Sequence, residues 1–411
     1  MSMYFRRTMH CRKIKGDQIF DGTRLINDHV LILNKDTVES ILPAEEAGDD
    51  FEVVHGILTP GFINCHCHLE LSHMKGIVPE KTGVIDFVLK VVQERHQPEE
   101  KIMDAIAKAE DEMLQNGIVA VGDICNNTLT LRQKRKKRLH YYNFIEASGW
   151  LPNVSEVRLE RAVSIFNQFK IQNSKFKIQN SIVPHSSYSV SEKLWQQIQP
   201  FYDGKVVCIH NQETPYEDEF FLEGTGDFTR MYELMKIANT HHQPTKKSSL
   251  ITYFNKLTSA ANIILVHNTF TKQEDVDFIR RQTHSVNHQP STVNQPFQKD
   301  SFGQTFFCLC VNANQYIENA IPPVDMLRKN NCIIVLGTDS LASNQSLSIV
   351  DEIKTIRKHF PSVSLEELLQ WATLNGAKAL QMHDELGSFS KGKKPGVILL
   401  NDKDFTVNRI V

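Results

Sequence analysis

Apolar residues along this chain fall into two regimes. Near both ends they come in short bursts: Gln18-Ile-Phe, His29-Val-Leu-Ile-Leu, Val38-Glu-Ser-Ile-Leu and Phe51-Glu-Val-Val, then Gly396-Val-Ile-Leu-Leu and Phe405-Thr-Val-Asn-Arg-Ile-Val. Turn signals such as Asp21-Gly22 and Gly48-Asp-Asp separate them, so they read as β-strands. The pattern predicts that residues 1–58 and 385–411 pair into one small sheet domain. Between them, over 59–384, continuous apolar runs start at Phe62, Ile118, His140, Ser181, Lys205, Asn262, Thr305 and Cys332. Helical periodicity falls among these runs, at 84–94, 99–116, 157–169, 191–198 and 365–380, the last opened by Ser364 and Glu367 at capping-box spacing. Unbroken apolar runs suit strands buried on both faces of a parallel sheet. Eight strand–helix alternations predict an α/β fold, a closed (β/α)8 barrel with insertions.

Composition narrows the partners. Hydrophobic content of 41%, charged content of 23% and a net charge of −2 describe an ordinary globular chain with no general pull toward nucleic acid or anionic membrane. No stretch approaches the roughly 20 apolar residues that span a bilayer, and Met1 to Lys15 has no apolar signal core. The eight cysteines are scattered through apolar runs without a Cys-x-x-Cys pair, which reads as buried free thiols in a reducing cytoplasm.

Some stretches leave the rhythm. Residues 169–181 write Phe-Lys-Ile-Gln-Asn-Ser twice, and 281–301 form a polar loop before the seventh strand. The basic run Arg132 to Arg138 reads as solvated surface. Residues 211–250 follow the fifth strand and carry Tyr216, Phe220, Phe221, Phe228, Met231 and Tyr232. They serve either as a lid or pocket wall over a barrel mouth, or as simple packing of a loop helix.

The histidines sort by position. His66 and His68 close the first strand, and side-chain alternation turns both to one face while Cys65 and Cys67 take the other. A His-x-His pair is by itself as often a solvated surface feature as a metal site. However, His185 ends the fourth strand, His210 the fifth and His267 the sixth, and Asp339 ends the eighth. Barrel chemistry gathers at those C-terminal strand ends.

Pro-Gly-Phe-Ile-Asn-Cys-His-Cys-His-Leu at 60–69 resembles the strand-1 signature of the amidohydrolase superfamily. Ile-His-Asn-Gln-Glu-Thr, Leu-Val-His-Asn-Thr and Leu-Gly-Thr-Asp-Ser-Leu-Ala-Ser-Asn look like its strand 5, 6 and 8 signatures, and Trp371-Ala-Thr-Leu-Asn-Gly-Ala-Lys-Ala-Leu its following helix. The resemblance covers residues 18 to about 400. It implies a distorted (β/α)8 TIM-type barrel, a β-sandwich made from both chain ends, a small-molecule substrate and, as often in the family, a homodimer.

Two-metal members commonly bridge their ions through strand 4, where this chain has Pro184-His185-Ser186-Ser187-Tyr188 and no lysine. The resemblance therefore implies one divalent metal held by His66, His68, His210 and Asp339. Zinc is the expected ion, with iron(II) or manganese as alternatives. Asp339 takes the proton of a metal-acidified water, and His267 orients that water. His210-x-x-Glu213 resembles the deaminase branch, in which Glu213 protonates a ring nitrogen beside the attacked carbon, and His185 contacts substrate.

Within the branch, His68-Leu-Glu-Leu-Ser-His and Gly83-Val-Ile-Asp-Phe-Val look most like aminofutalosine deaminases, then methylthioadenosine/adenosylhomocysteine deaminases. Asn312 and Asn314, read as part of strand 7, depart from the Cys-Pro-x-Ser-Asn pattern, and Lys394-Pro395-Gly396 stands where Ala-Asp is usual. The expected activity is hydrolytic deamination of a purine or adenosine derivative. The competing readings are a cyclic-amide or chloro-triazine hydrolase on the same site, and a metal-binding protein without turnover.

Overall fold

The computed structural model describes residues 11–171, 179–284 and 303–411. Most of the 169–181 duplication and of the 281–301 loop lies outside the described residues. Eight parallel strands form two four-stranded sheets. Strands 1 to 4 are Phe62–Cys67, Ile118–Cys125, His140–Ala147 and Gln179–Pro184. Strands 5 to 8 are Val206–Asn211, Asn262–His267, Gln304–Leu309 and Ile333–Leu336. Each sheet keeps sequence order, as helical crossovers between parallel neighbours require. Strands 1, 2 and 5 are buried along their whole length. That is why they read as apolar runs rather than as alternating patterns.

The two sheets touch at both edges through single-residue bridges, Cys67 to Asp339 and Ser186 to His210. The His66 carbonyl accepts the Thr338 and Asp339 N–H groups at 3.0 and 3.1 Å, and the His210 N–H donates to the His185 carbonyl at 3.0 Å. These contacts all lie at C-terminal strand ends, so the residues predicted to carry chemistry also hold the sheets together.

Both chain ends pair. Val397–Leu400 lies between Val407–Arg409 and Ile57–Pro60, and Gln18–Phe20 and Leu25–Asn27 complete a five-stranded sheet. A second sheet orders Thr37–Pro43, His29–Asn34, Cys11–Lys15 and Glu52–Val53. Ile14, Ile19, Leu31, Leu33, Leu58 and Val397 fill the space between them. The chain passes from Ile57–Pro60 into strand 1 through Gly61, where an added Cβ would lie 2.2 Å from a Val119 methyl. Only glycine fits that crossing.

Local differences from the sequence reading have physical causes. Strand 7 stops at Leu309, and Asn312 and Asn314 belong to the helix Val311–Glu318 rather than to the strand. The buried Glu352 carboxylate accepts the Asn312 N–H at 3.1 Å, satisfying the new helix end at once. The Ser364 hydroxyl accepts the Glu367 N–H at 3.1 Å, but the Glu367 carboxylate is taken by Arg328 at 2.8 Å, so only half the capping box forms. The last helix is not uniform either, since a π turn at Trp371–Asn375 interrupts it. Within the basic run, Lys134 is buried instead of solvated. It pairs with Asp123 and lies over the Tyr141 and Phe169 rings at 4.9 and 5.1 Å, and Asp123 also accepts the Leu69 N–H at 2.9 Å. Among the described residues, no helix is long and apolar enough to cross a membrane.

Candidate metal centre and substrate pocket

The six predicted side chains meet in one place. His66 and His68 leave strand 1 on the same side, with their Nε2 atoms 3.1 Å apart. His68 Nε2 is 3.2 Å from His210 Nε2, and Asp339 Oδ1 is 3.3 Å from His68 Nε2 and 3.4 Å from His66 Nε2. Donors about 2.0–2.1 Å from a tetrahedral ion sit roughly 3.3–3.4 Å from one another. These four groups therefore have the spacing of one coordination sphere. Cys65 and Cys67 contribute nothing to that donor set.

Hydrogen bonds and burial set the protonation state that a ligand needs. His210 Nδ1–H donates to the His185 carbonyl at 2.8 Å, which leaves the Nε2 lone pair toward the centre. Burial pushes the pKa of His66, His68 and His210 down, with His68 falling to about 4, so all three are neutral imidazoles. Burial alone would raise the Asp339 carboxyl, but its hydrogen bond with His66 and its electrostatic interaction with the His68 and His267 rings hold it well below the usual range. Three neutral imidazoles and one carboxylate form a donor set suited to a divalent ion.

Around the set stand the groups that handle protons. His267 Nδ1 binds Asn314 Oδ1 at 2.8 Å, and its Nε2 is buried without a hydrogen-bond partner among the described residues, 3.6 Å from Glu213 Oε1. Burial, then Asp339 and Glu318, push the Glu213 carboxyl well above its ordinary pKa, so it is held as an acid. His267 and Asp339 both adopt left-handed backbone, with φ of 74° and 57°. Such strain in non-glycine residues concentrates at functional sites.

One participant escaped the sequence reading. Glu146, at the end of strand 3, accepts His185 Nδ1–H at 2.8 Å and Asn126 Nδ2–H at 2.7 Å, and lies 3.6 Å from His210 Nδ1. Burial opposes the charge on both members of the pair. Their mutual attraction outweighs it, so His185 is raised and Glu146 lies well below the carboxylate range. The signal was available, because Glu146 closes an apolar run in the same way as His185 and Asp339.

A cavity of about 270 Å³ opens onto this centre. Glu70, Arg95, Asn126 and Arg158 give it a polar side, while Val84, Phe87, Trp150, Met231 and Tyr232 give it an apolar one. Burial raises Glu70 to about 7. The 211–250 stretch folds into the helices Pro215–Glu223 and Asp227–Leu234. Tyr232 stacks on Trp150 at 5.4 Å, and Phe228 packs on Tyr188 at 4.2 Å, so this stretch is a packed pocket wall. Tyr216 alone of its predicted aromatics is exposed.

The chain is 23% identical over 410 residues to the 5-methylthioadenosine/S-adenosylhomocysteine deaminase of Teredinibacter turnerae, covering 94% of this chain and 82% of that protein. The crystal structure of Helicobacter pylori aminofutalosine deaminase in complex with methylthio-coformycin shares the fold, with a TM-score of 0.75 at 19% identity over 96% of this chain and 93% of that one. A zinc-bound adenosine deaminase from Xanthomonas campestris matches with a TM-score of 0.67 at 17% identity over 95% and 85% of the two chains. Residues 57–411, which include every side chain of the centre, match the model of the amidohydrolase family, and the chain belongs to that family.

Proposed function

We propose that this chain is a metal-dependent aminohydrolase that deaminates an adenosine derivative by attack of water on the amino-bearing ring carbon. The observation that carries the reading is Glu213. It is an acid held protonated by burial, 3.6 Å from His267 Nε2 at the edge of a three-histidine, one-aspartate donor set. A mere metal scaffold has no use for such a group.

His66, His68, His210 and Asp339 would hold one divalent ion. The zinc reported in a structural relative and the nitrogen-rich donor set both support zinc. When bound, the ion supplies the Lewis acidity that brings a water's pKa toward ~7. The His267 Nε2 lone pair accepts a hydrogen bond from the attacking water and fixes its direction. The Asp339 carboxylate takes the proton that the water gives up. Glu213 donates its proton to the ring nitrogen beside the attacked carbon, which makes that carbon electrophilic. The proton held by Asp339 then passes to the amino group, which leaves as ammonia, and the proton of the new hydroxyl returns to Glu213 as the carbonyl forms. His185, turned by Glu146 so that Nε2 faces the cavity, holds the ring in register.

The cavity's size and its polar side, with Glu70, Arg95 and Arg158, support a substrate larger than a bare purine. The same reading takes the two edge-bridged sheets as one distorted (β/α)8 barrel over 59–384, with a β-sandwich from 1–58 and 385–411. The edge bridges and the paired chain ends support it. A cytoplasmic setting belongs to it as well, supported by free cysteines that are mostly buried.

The test is ammonia release by the zinc-loaded protein from adenosine, 5′-deoxyadenosine, methylthioadenosine, adenosylhomocysteine, aminodeoxyfutalosine, adenine and guanine. Turnover of at least one 5′-substituted adenosine above adenine and guanine is expected. Release from none of them overturns the reading.

A further inference from the structure

Four residues beyond Glu213 lies a second acid that the chemistry above does not use. Glu217 is completely buried near the start of the helix Pro215–Glu223. Its Oε1 accepts the Glu213 backbone N–H at 2.8 Å. Its Oε2 accepts the Ser249 hydroxyl at 2.9 Å and the Ser187 hydroxyl at 3.3 Å, and those two hydroxyls are 2.9 Å apart. Ser187 lies two residues past His185, and Ser249 opens the helix Ser249–Tyr253. One carboxyl group thus ties the loop that carries Glu213 to the loop that carries His185 and to a helix beyond both.

The Glu213 N–H needs this partner. Gln212 before it takes a left-handed turn, with φ of 46°, and the helix begins only at Pro215, so neither strand 5 nor the helix supplies an acceptor. The other side of that peptide, the Gln212 carbonyl, accepts the Phe270 N–H at 3.0 Å, so the Glu217 bond is the second of two that fix the plane from which the Glu213 side chain leaves. Burial raises Glu217 to about 8, and an apolar side chain would fill the space without that penalty. The carboxyl's three hydrogen bonds account for an acid at this position.

The geometry points to Glu217 as the positioning residue for Glu213, fixing the peptide from which the proton donor reaches the substrate. The inference rests on the deaminase reading above. Misplacing a reacting group by ~1 Å costs on the order of 10²-fold, so the effect belongs in kcat.

A double-mutant cycle tests it on the zinc-loaded protein. Glu217→Ala is expected to lower kcat at least tenfold with KM and bound zinc little changed, and Glu217→Gln, which keeps the Oε1 acceptor, to recover most of that loss. In a Glu213→Gln background, where no proton is left to position, Glu217→Ala is expected to change the residual kcat less than twofold. Equal losses in both backgrounds, or a Glu217→Ala kcat within twofold of wild type, overturn the proposal. If Glu217→Ala yields no folded protein, the pair Ser187→Ala and Ser249→Ala carries the same cycle, with a loss expected only where Glu213 is intact. A wild-type protein that deaminates nothing refutes the functional reading instead, so the two failures are distinct.

Discussion

Replacing Glu213 by glutamine is expected to drive activity and stability in opposite directions. The amide keeps the size of the side chain and can hydrogen-bond a ring nitrogen, but it has no proton to give. General acid catalysis contributes about 10²–10⁴-fold, equivalent to roughly 3–5 kcal/mol of barrier at about 1.36 kcal/mol per decade. The loss should appear in kcat, and bound zinc should stay at the wild-type level because Glu213 lies outside the donor set.

Stability follows from the sign of the pKa shift. Burial and the Asp339 charge raise the Glu213 carboxyl well above its ordinary 4.5, so the folded state binds a proton that the unfolded chain releases. Folding stability therefore drops as pH climbs from 4.5 toward the raised pKa. Glutamine removes that drop, and the variant should melt above wild type, by a margin that widens from pH 5 to pH 8. The falling alkaline limb of the wild-type rate profile, where Glu213 loses its proton, should flatten in the variant. Rate, metal content and melting temperature over that range decide the matter. Unchanged rate and zinc refute the acid role. Activity and melting temperature falling together would make Glu213 a structural residue.

Three further outcomes can be checked. Stripping zinc with a chelator should lower the melting temperature reversibly, since three buried imidazoles and a carboxylate lose their common partner; an unchanged melt counts against a preformed metal site. Glu146→Gln should lower kcat/KM by about 5–30-fold, because exchanging charged for neutral hydrogen bonds to His185 costs about 1–2 kcal/mol; full activity would detach His185 from substrate. Gly61→Ala should destabilise the protein by about 1–3 kcal/mol through the forced contact with Val119; a wild-type melting profile contradicts the crowding at that crossing.

Much of the centre was legible because its residues terminate apolar runs. A strand buried on both faces announces itself, and the first polar side chain after it sits at the rim where ligands gather. His66, His68, His185, His210, His267 and Asp339 were found in that way, and the structure brings all six together. Glu146 obeyed the same rule but carried no motif, so only its contact with His185 identifies it. Asn314 was assigned to a strand because Cys310 and Val311 prolong the apolar run. The helix there depends on Glu352, a partner 40 residues away from Asn312 that no local pattern reveals. Lys134 was hidden for the same reason, since its counter-ion Asp123 lies on a neighbouring strand.

The passage through Gly61 also bears on how the protein is made. The strand that carries His66 and His68 continues directly from Ile57–Pro60, and that segment is flanked in its sheet by Val397–Leu400. A ribosome adding ~5–20 residues per second delivers Val397 roughly 20–70 s after Pro60. Throughout that interval the segment behind the two histidines is paired with Gln18–Phe20 on one side and open on the other, and Asp339 arrives late as well. The four ligands are complete only once strand 8 has been made, and a chain truncated before residue 397 should emerge with one edge of the segment behind its ligand strand unpaired.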